Sequence, residues 1–337
     1  MVTEPFPIDA ERQRLLRLPA DDAPMRVRLL TARLLGLLLK LRVSGTLAYR
    51  HRTGFVEQQR RVLTLVGNYE GLTSVELVGL TGAEKAQVSR TIAVLAEKGL
   101  VERESLRAPI QLSPEGQAAF ERIMEVAKAR NAEITDGIAP DRLARFGQLT
   151  AALTERAKLL LAQERDTGQG TVGTDPPPMP ERLRRPRDTR PLARMVAPPL
   201  ITLVAFLQRS ATLAFRRETG LSNFEWQVMS QVGEYAPVPL LRLIELVGRD
   251  KSQVGRTVKR LEAMAFVMRA AAGGRAVTLD LTAAGRAVYL RMCRIAVARD
   301  DFLLAELGPE ERREYLAVVD RLTANADALL AREREVG

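Results

Sequence analysis

Along this chain the apolar residues return every three or four positions over long windows, the period of a helix packed on one side. The clearest window is KAQVSRTIAVLAEKGLV, residues 85–101. There Val88, Ile92 and Leu95 share one helical face, and Ala86, Ser89, Arg90, Ala93 and Glu97 share the opposite one. Upstream, the same period predicts a long apolar helix over residues 26–51 and another over 57–69. Thr73 with Glu76 three positions later is a capping-box pattern, so a short helix starts there, and Gly82 ends it. Two short helices joined by a Gly-containing turn make the helix-turn-helix pattern. Past it, LVERESLRAPIQLS reads as strand, turn, strand.

The whole pattern is then written a second time. KSQVGRTVKRLEAMAFV, residues 251–267, repeats the Lys, Gln, Val, Arg, Thr, Leu and Val of the first stretch 166 positions on. At the same offset TLAYRHRTG meets TLAFRRETG, and Gly67, Tyr69 and Gly82 meet Gly233, Tyr235 and Gly248. After Val101 the offset becomes 169, where LSPEG meets LTAAG and LLLAQE meets LLAREREVG. The three extra residues fall between matched blocks and belong to a surface loop. The second leading helix is expected over residues 194–217, bent or delayed by Pro198 and Pro199. In FVMRAAAGGRAVTLDLT the pair Gly273-Gly274 signals a tight hairpin flanked by Arg269 and Arg275. The first hairpin is shorter and mixes Arg103 and Arg107 with Glu102, Glu104 and Pro109. Between the copies, Gly, Thr, Pro and Arg dominate and no period survives, which predicts a linker over 167–190. The expected fold is mainly α with small β-wings: two winged helix-turn-helix units, residues 20–166 and 191–337, within one chain.

Composition narrows the function. An apolar fraction of 46% fills real cores, and with only 4% aromatic residues those cores are aliphatic. Fifty-one Lys and Arg against 41 Asp and Glu point to a polyanionic partner, nucleic acid or an acidic membrane surface. The apolar windows at 29–43 and 195–207 are too short or too charged to span a membrane, and the N-terminus has no signal-peptide core. One histidine, His51, and one cysteine, Cys293, exclude a structural zinc site and any intramolecular disulfide, which fits a soluble cytoplasmic protein. His51 reads as a surface or packing residue. Arg291 and Arg294 flank Cys293 and would lower its pKa. With no Gly-rich phosphate loop and no nucleophile elbow, neither enzyme nor cofactor is expected.

What remains is the outward face of the repeated helix. In the second copy it carries Ser252, Gly255, Arg256, Lys259 and Ala263. Small residues around an Arg suit a helix entering the major groove, where Arg pairs with guanine and Gln87 or Gln253 with adenine. Lys85 and Lys251, in the first turn, suit phosphate. Packing explains duplicated core residues, but not Lys, Gln, Arg and Thr duplicated at outward or flanking positions. The candidate DNA-binding residues are Lys85, Gln87, Ser89, Arg90, Arg103 and Arg107 in the first copy. In the second they are Lys251, Ser252, Gln253, Arg256, Lys259, Arg260, Arg269 and Arg275.

DKSQVGRTVKRLE at 250–262, followed by a wing and LTAAG, resembles the MarR family of bacterial transcription regulators, and the resemblance extends over nearly all of both copies. It implies dimers whose first and last helices interleave and which read palindromic operators, one winged helix per half-site. It also implies release of DNA by small aromatic or other apolar effectors, and in some members peroxide sensing through a cysteine in the leading helical region. The chain departs from the family in carrying both halves in one polypeptide, a covalent pseudo-twofold dimer, and in lacking the Asp-x-Arg motif in either wing. The function implied is a repressor binding a pseudo-palindromic double-stranded operator as a monomeric chain. The alternatives are a plasmid-type replication initiator and a winged-helix interaction scaffold.

Overall fold

The computed structural model describes residues 25–69, 71–81, 84–105, 108–167, 195–271 and 277–336. The first half contains α1 (Met25–Arg28), α2 (Leu30–Thr53), α3 (Glu57–Tyr69), α4 (Ser74–Thr81) and α5 (Lys85–Glu97). The strands β1 (Val101–Glu102) and β2 (Gln111–Leu112) follow, then α6 (Pro114–Ile134) and α7 (Pro140–Thr167). The second half contains α8 (Ala197–Thr219), α9 (Asn223–Tyr235), β3 (Val238–Pro239), α10 (Leu240–Val247) and α11 (Lys251–Ala263). It ends with β4 (Val267–Ala271), β5 (Val277–Leu281), α12 (Ala283–Leu304) and α13 (Pro309–Val336). The molecule is mostly helical with two small antiparallel sheets, β1-β2 and β3-β5-β4. The linker expected over 167–190 lies outside the described residues except for Thr167, as do Gly82 and the Gly273-Gly274 turn.

Local chemistry sets the boundaries. The Thr73 N–H donates to Glu76 Oε2 at 2.9 Å and the Glu76 N–H to Thr73 Oγ1 at 3.3 Å, the reciprocal capping box that starts α4. Ser222 and Glu225 do the same for α9. Pro198 and Pro199 occupy the first turn of α8, where no intrahelical N–H is owed, so the helix starts at Ala197 rather than at residue 194.

The elements recur at the sequence offsets. The starts of α3, α4 and α5 stand 166 positions before those of α9, α10 and α11, and those of α6 and α7 stand 169 before α12 and α13. Details recur with them. Ser113 and Thr282 cap α6 and α12 by accepting the N–H of Gly116 and Gly285. Each hydroxyl also donates back, to the carbonyls of Gly99 and Ala265. A Cβ on Gly116 would stand 1.8 Å from the Leu100 carbonyl oxygen, and one on Gly285 1.9 Å from that of Phe266. Only glycine lets the helix lie this close to the chain leaving the preceding helix. The Leu72–Ile110 bridge of the first half stands where the β3–β5 pair Val238–Leu279 stands in the second.

By packing, the chain forms two compact units, and each draws on both sequence copies. One gathers the described residues up to 39, 148–167 and 202–319; the other gathers 40–147, 195–201 and those from 320 onward. In the first unit Asp300 of α12 accepts the Leu30 N–H at 3.0 Å and the Thr31 N–H at 3.1 Å, capping α2. In the second, Asn131, the counterpart of Asp300, accepts the Val196 N–H at 3.0 Å, just ahead of α8. A buried arginine follows the same rule. Arg130 donates to Ser44 at 2.8 Å and faces Glu333 at 3.8 Å in one unit. Arg299 donates to Ser210 and faces Glu164 at 3.5 Å in the other.

Two measurements test these contacts. Gly285→Ala is expected to lower unfolding stability by about 1–3 kcal/mol, because its methyl must displace the Phe266 backbone; an unchanged denaturant midpoint would refute the close approach. Asp300 is 5% exposed, and burial raises its pKa despite the hydrogen bonds from Thr31 and Leu30. A carboxyl raised in the folded state favours folding below the ordinary carboxylate pKa, and that contribution is lost as pH rises through the raised value. Asp300→Asn is therefore expected to flatten the fall in stability across that window, read from urea midpoints against pH.

Candidate nucleic-acid interface

The site is built on α5 and α11, each fixed by one buried face. In α5, Val88, Ile92 and Leu95 enter the core formed with α3, α4 and the first sheet; in α11, Val254, Val258 and Leu261 enter the corresponding core. Thr91 and Thr257 belong to this inward face: they are 9% and 8% exposed and donate to the carbonyls of Gln87 and Gln253. The duplicated threonine is thus a packing residue, contrary to the sequence expectation, because its hydroxyl is satisfied one turn back along its own helix.

With that face buried, Lys85, Gln87, Ser89 and Arg90 are exposed together on α5, and Lys251, Ser252, Arg256, Lys259 and Arg260 on α11. Gln253 is half-buried and Arg103 is exposed between Glu102 and Glu104. Arg107 and Arg275 lie outside the described residues. The structure adds two exposed cations that the candidate set omitted, Lys98 at the end of α5 and Arg249 ahead of α11.

Two of the candidate arginines are already engaged. Arg260 Nε stands 3.0 Å from Glu225 Oε1, and Arg269 Nε donates to Glu262 Oε1 at 2.5 Å. Burial opposes ionisation of Glu225, but hydrogen bonds from Ser222 and the nearby Arg260 charge outweigh it and lower its pKa. The SNFE capping box at 222–225 was the sequence signal for that acid. Glu262 gave no comparable signal, since its meeting with Arg269 depends on how β4 leaves α11. The second wing therefore does not present Arg269 as an uncompensated charge.

The hairpins differ in extent. β1 and β2 pair through Val101–Leu112 and Glu102–Gln111 only, whereas β4 and β5 pair from Val267–Leu281 to Ala271–Val277.

Burial raises the Cys293 thiol, with the Tyr289 hydrogen bond opposing and Glu234 adding to the rise. This reverses the expected effect of Arg291 and Arg294: Arg291 is turned to Glu218 at 2.8 Å. A thiol held protonated is a poor nucleophile. His51 Nδ1 stands 3.8 Å from Glu333. A polar stripe runs along α3: the Arg60 guanidinium lies 4.4 Å from the centre of the Tyr49 ring, and Thr64 Oγ1 and Asn68 Oδ1 have no hydrogen-bond partner among the described residues. Among those residues no cluster of three His, Cys, Asp or Glu is placed to hold a metal, and no helix is long and apolar enough to cross a membrane.

Residues 53–108 match the model of the MarR family. No curated protein matches the chain. Among solved structures, a MarR/EmrR family transcriptional regulator from Acinetobacter sp. ADP1 is 22% identical, covers 41% of this chain and 98% of its own, and superposes with a TM-score of 0.37. A MarR family regulator from Silicibacter pomeroyi is 25% identical over 39% of this chain and 89% of its own, with a TM-score of 0.35. The PcaV transcriptional regulator from Streptomyces coelicolor, solved with its natural ligand, is 22% identical over 40% and 94%, with a TM-score of 0.30. The family match spans α3, α4, α5 and β1, so the first of the two outward-facing helices lies within the stretch, residues 53–108, that is similar to the MarR family.

Proposed function

We propose that this chain is a sequence-specific double-stranded DNA-binding transcription regulator whose two winged helix-turn-helix units act as a covalent pseudo-dimer. The observation that carries the reading is the same exposed Lys and Arg on α5 and α11, each with a Gln beside them (exposed at Gln87, half-buried at Gln253), held outward by the same buried Val–Thr–Leu set. Core packing alone does not require the exposed members to match. An operator with two half-sites about one helical turn apart does require two such helices. Residues 20–166 and 191–337 supply one each, joined through the 167–190 linker, and the linked copies meet at an effective concentration of order millimolar. Repression follows from occupancy, since a protein seated on an operator excludes polymerase. The reading includes release by a small aromatic or other apolar effector, for which Tyr49, Arg60, Thr64 and Asn68 offer a ring, a cation and two oxygens that have no hydrogen-bond partner among the described residues. A replication initiator has less support because each hairpin is followed by a pair of long helices, as in a MarR-like dimer; an interaction scaffold has less because it does not call for matched cations on both helices.

Selection of bound genomic fragments followed by footprinting tests the reading directly. Two quantities are expected alongside it. With Lys85, Arg90, Lys251, Arg256 and Lys259 among about five or six phosphate contacts, log affinity should fall with log salt at a slope near −5; a slope near zero removes backbone binding. Sedimentation should find the full-length chain monomeric at micromolar concentration and still protecting both half-sites. An obligate dimer of chains would overturn the pseudo-dimer.

A further inference from the structure

The two DNA-facing helices are not equivalent. At the offset of 166, Lys85 corresponds to Lys251 and Arg90 to Arg256, but exposed Ala93 stands where Lys259 stands, and exposed Glu97 where Ala263 stands. The acids differ in what they do. Asp250 is spent on capping α11, accepting the Gln253 N–H at 2.8 Å, and Glu262 is spent on Arg269. Glu84, in the place of Asp250, makes no side-chain cap bond and remains exposed beside Lys85. Lys98 follows Glu97 at the C-terminal end of α5 and offsets its charge, which leaves Ala93 against Lys259 and the exposed Glu84 as the difference. The hairpins add a second, independent asymmetry. At about 3.4 Å per residue, the five paired positions of β4 and β5 make a ladder about 10 Å longer than the two of β1 and β2.

We propose that α11 with its long hairpin is the anchoring half and α5 the weaker reader, so that the chain takes its operator in one fixed orientation and the two half-sites differ. This rests on the DNA-binding reading above. Two identical chains must present identical helices, so a symmetric dimer has no built-in orientation on a palindrome. A single chain carrying both helices is released from that constraint, and its residues have diverged at the positions that face outward.

The test uses the full-length chain on the duplex defined by footprinting. Arg256→Ala is expected to weaken binding about 10- to 100-fold and to lose protection across the whole site. Arg90→Ala is expected to cost no more than about fivefold and to lose protection over one half only. Both side chains are exposed, so melting curves should match the parent. A gain-of-function arm does not depend on loss: Ala93→Lys combined with Glu97→Ala should tighten binding and steepen the salt slope by about 0.9. Equal losses for Arg90→Ala and Arg256→Ala on an operator with identical halves would overturn the asymmetry and leave DNA binding intact. A parent chain that protects no fragment at all would overturn the DNA-binding reading itself.

Discussion

The burial of one narrow face on α5 and on α11 governs how the rest of each half presents itself. Val88, Ile92 and Leu95, like Val254, Val258 and Leu261, are almost wholly removed from water. Each fully buried aliphatic side chain contributes about 1.5–3 kcal/mol relative to exposure. Three on one stripe fix the rotation of a 13-residue helix about its own axis. Once that rotation is set, the 3.6-residue period leaves Lys, Ser and Arg no place but the solvent side. A rotation of about 100° would bury an arginine and expose a valine, losing on both counts. The chemistry of the outward face is thus a consequence of packing on the inward one.

The glycine seats at Gly116 and Gly285 carry that order onward. Each brings the start of a long helix against the backbone just past α5 or α11, closer than any Cβ allows. The hydroxyls of Ser113 and Thr282 then join the two segments, accepting from one and donating to the other. The hairpin is pinned at its base by this arrangement, while its length is free to differ between the halves.

Within each compact unit, residues from both sequence copies are held by polar contacts of the same design. Arg130 is 4% exposed and Glu333 5% exposed, so each depends on the other and on Ser44 to offset the loss of water. Removing one member of such a buried group costs about 3–5 kcal/mol, chiefly because the remaining charge is stranded. The pairs Asp300–Leu30 and Asn131–Val196 close helix starts in the same manner, with a carboxylate in one place and an amide in the other. Each of these groups takes members from both sequence copies. The Arg–Glu–Ser groups keep the same residue types in both places, whereas Asp300 and Asn131 keep the geometry with different side chains.

Much of this was legible in the sequence by itself. Periodicity located the helix at 57–69 and the one that starts at residue 85, the Thr73–Glu76 box located a helix start, and self-comparison gave the offsets of 166 and 169 at which the elements recur. Those features are local: they depend on spacing within a turn or two, and spacing is what a sequence records. It also located most of the residues of α5 and α11 that face outward; Gln253 and Gly255 are half-buried, and Thr91 and Thr257 are buried because a threonine's hydroxyl is satisfied by a carbonyl that no pattern of apolar residues reveals. Only the tertiary structure decided which charges are engaged. Arg260 meets Glu225 across 35 positions of chain, Arg269 meets Glu262 through the exit of β4, and Cys293 is raised rather than lowered because its surroundings exclude water. Partnership of charges and the polarity around a thiol are properties of three-dimensional proximity, and the linear chain holds no local signal for either.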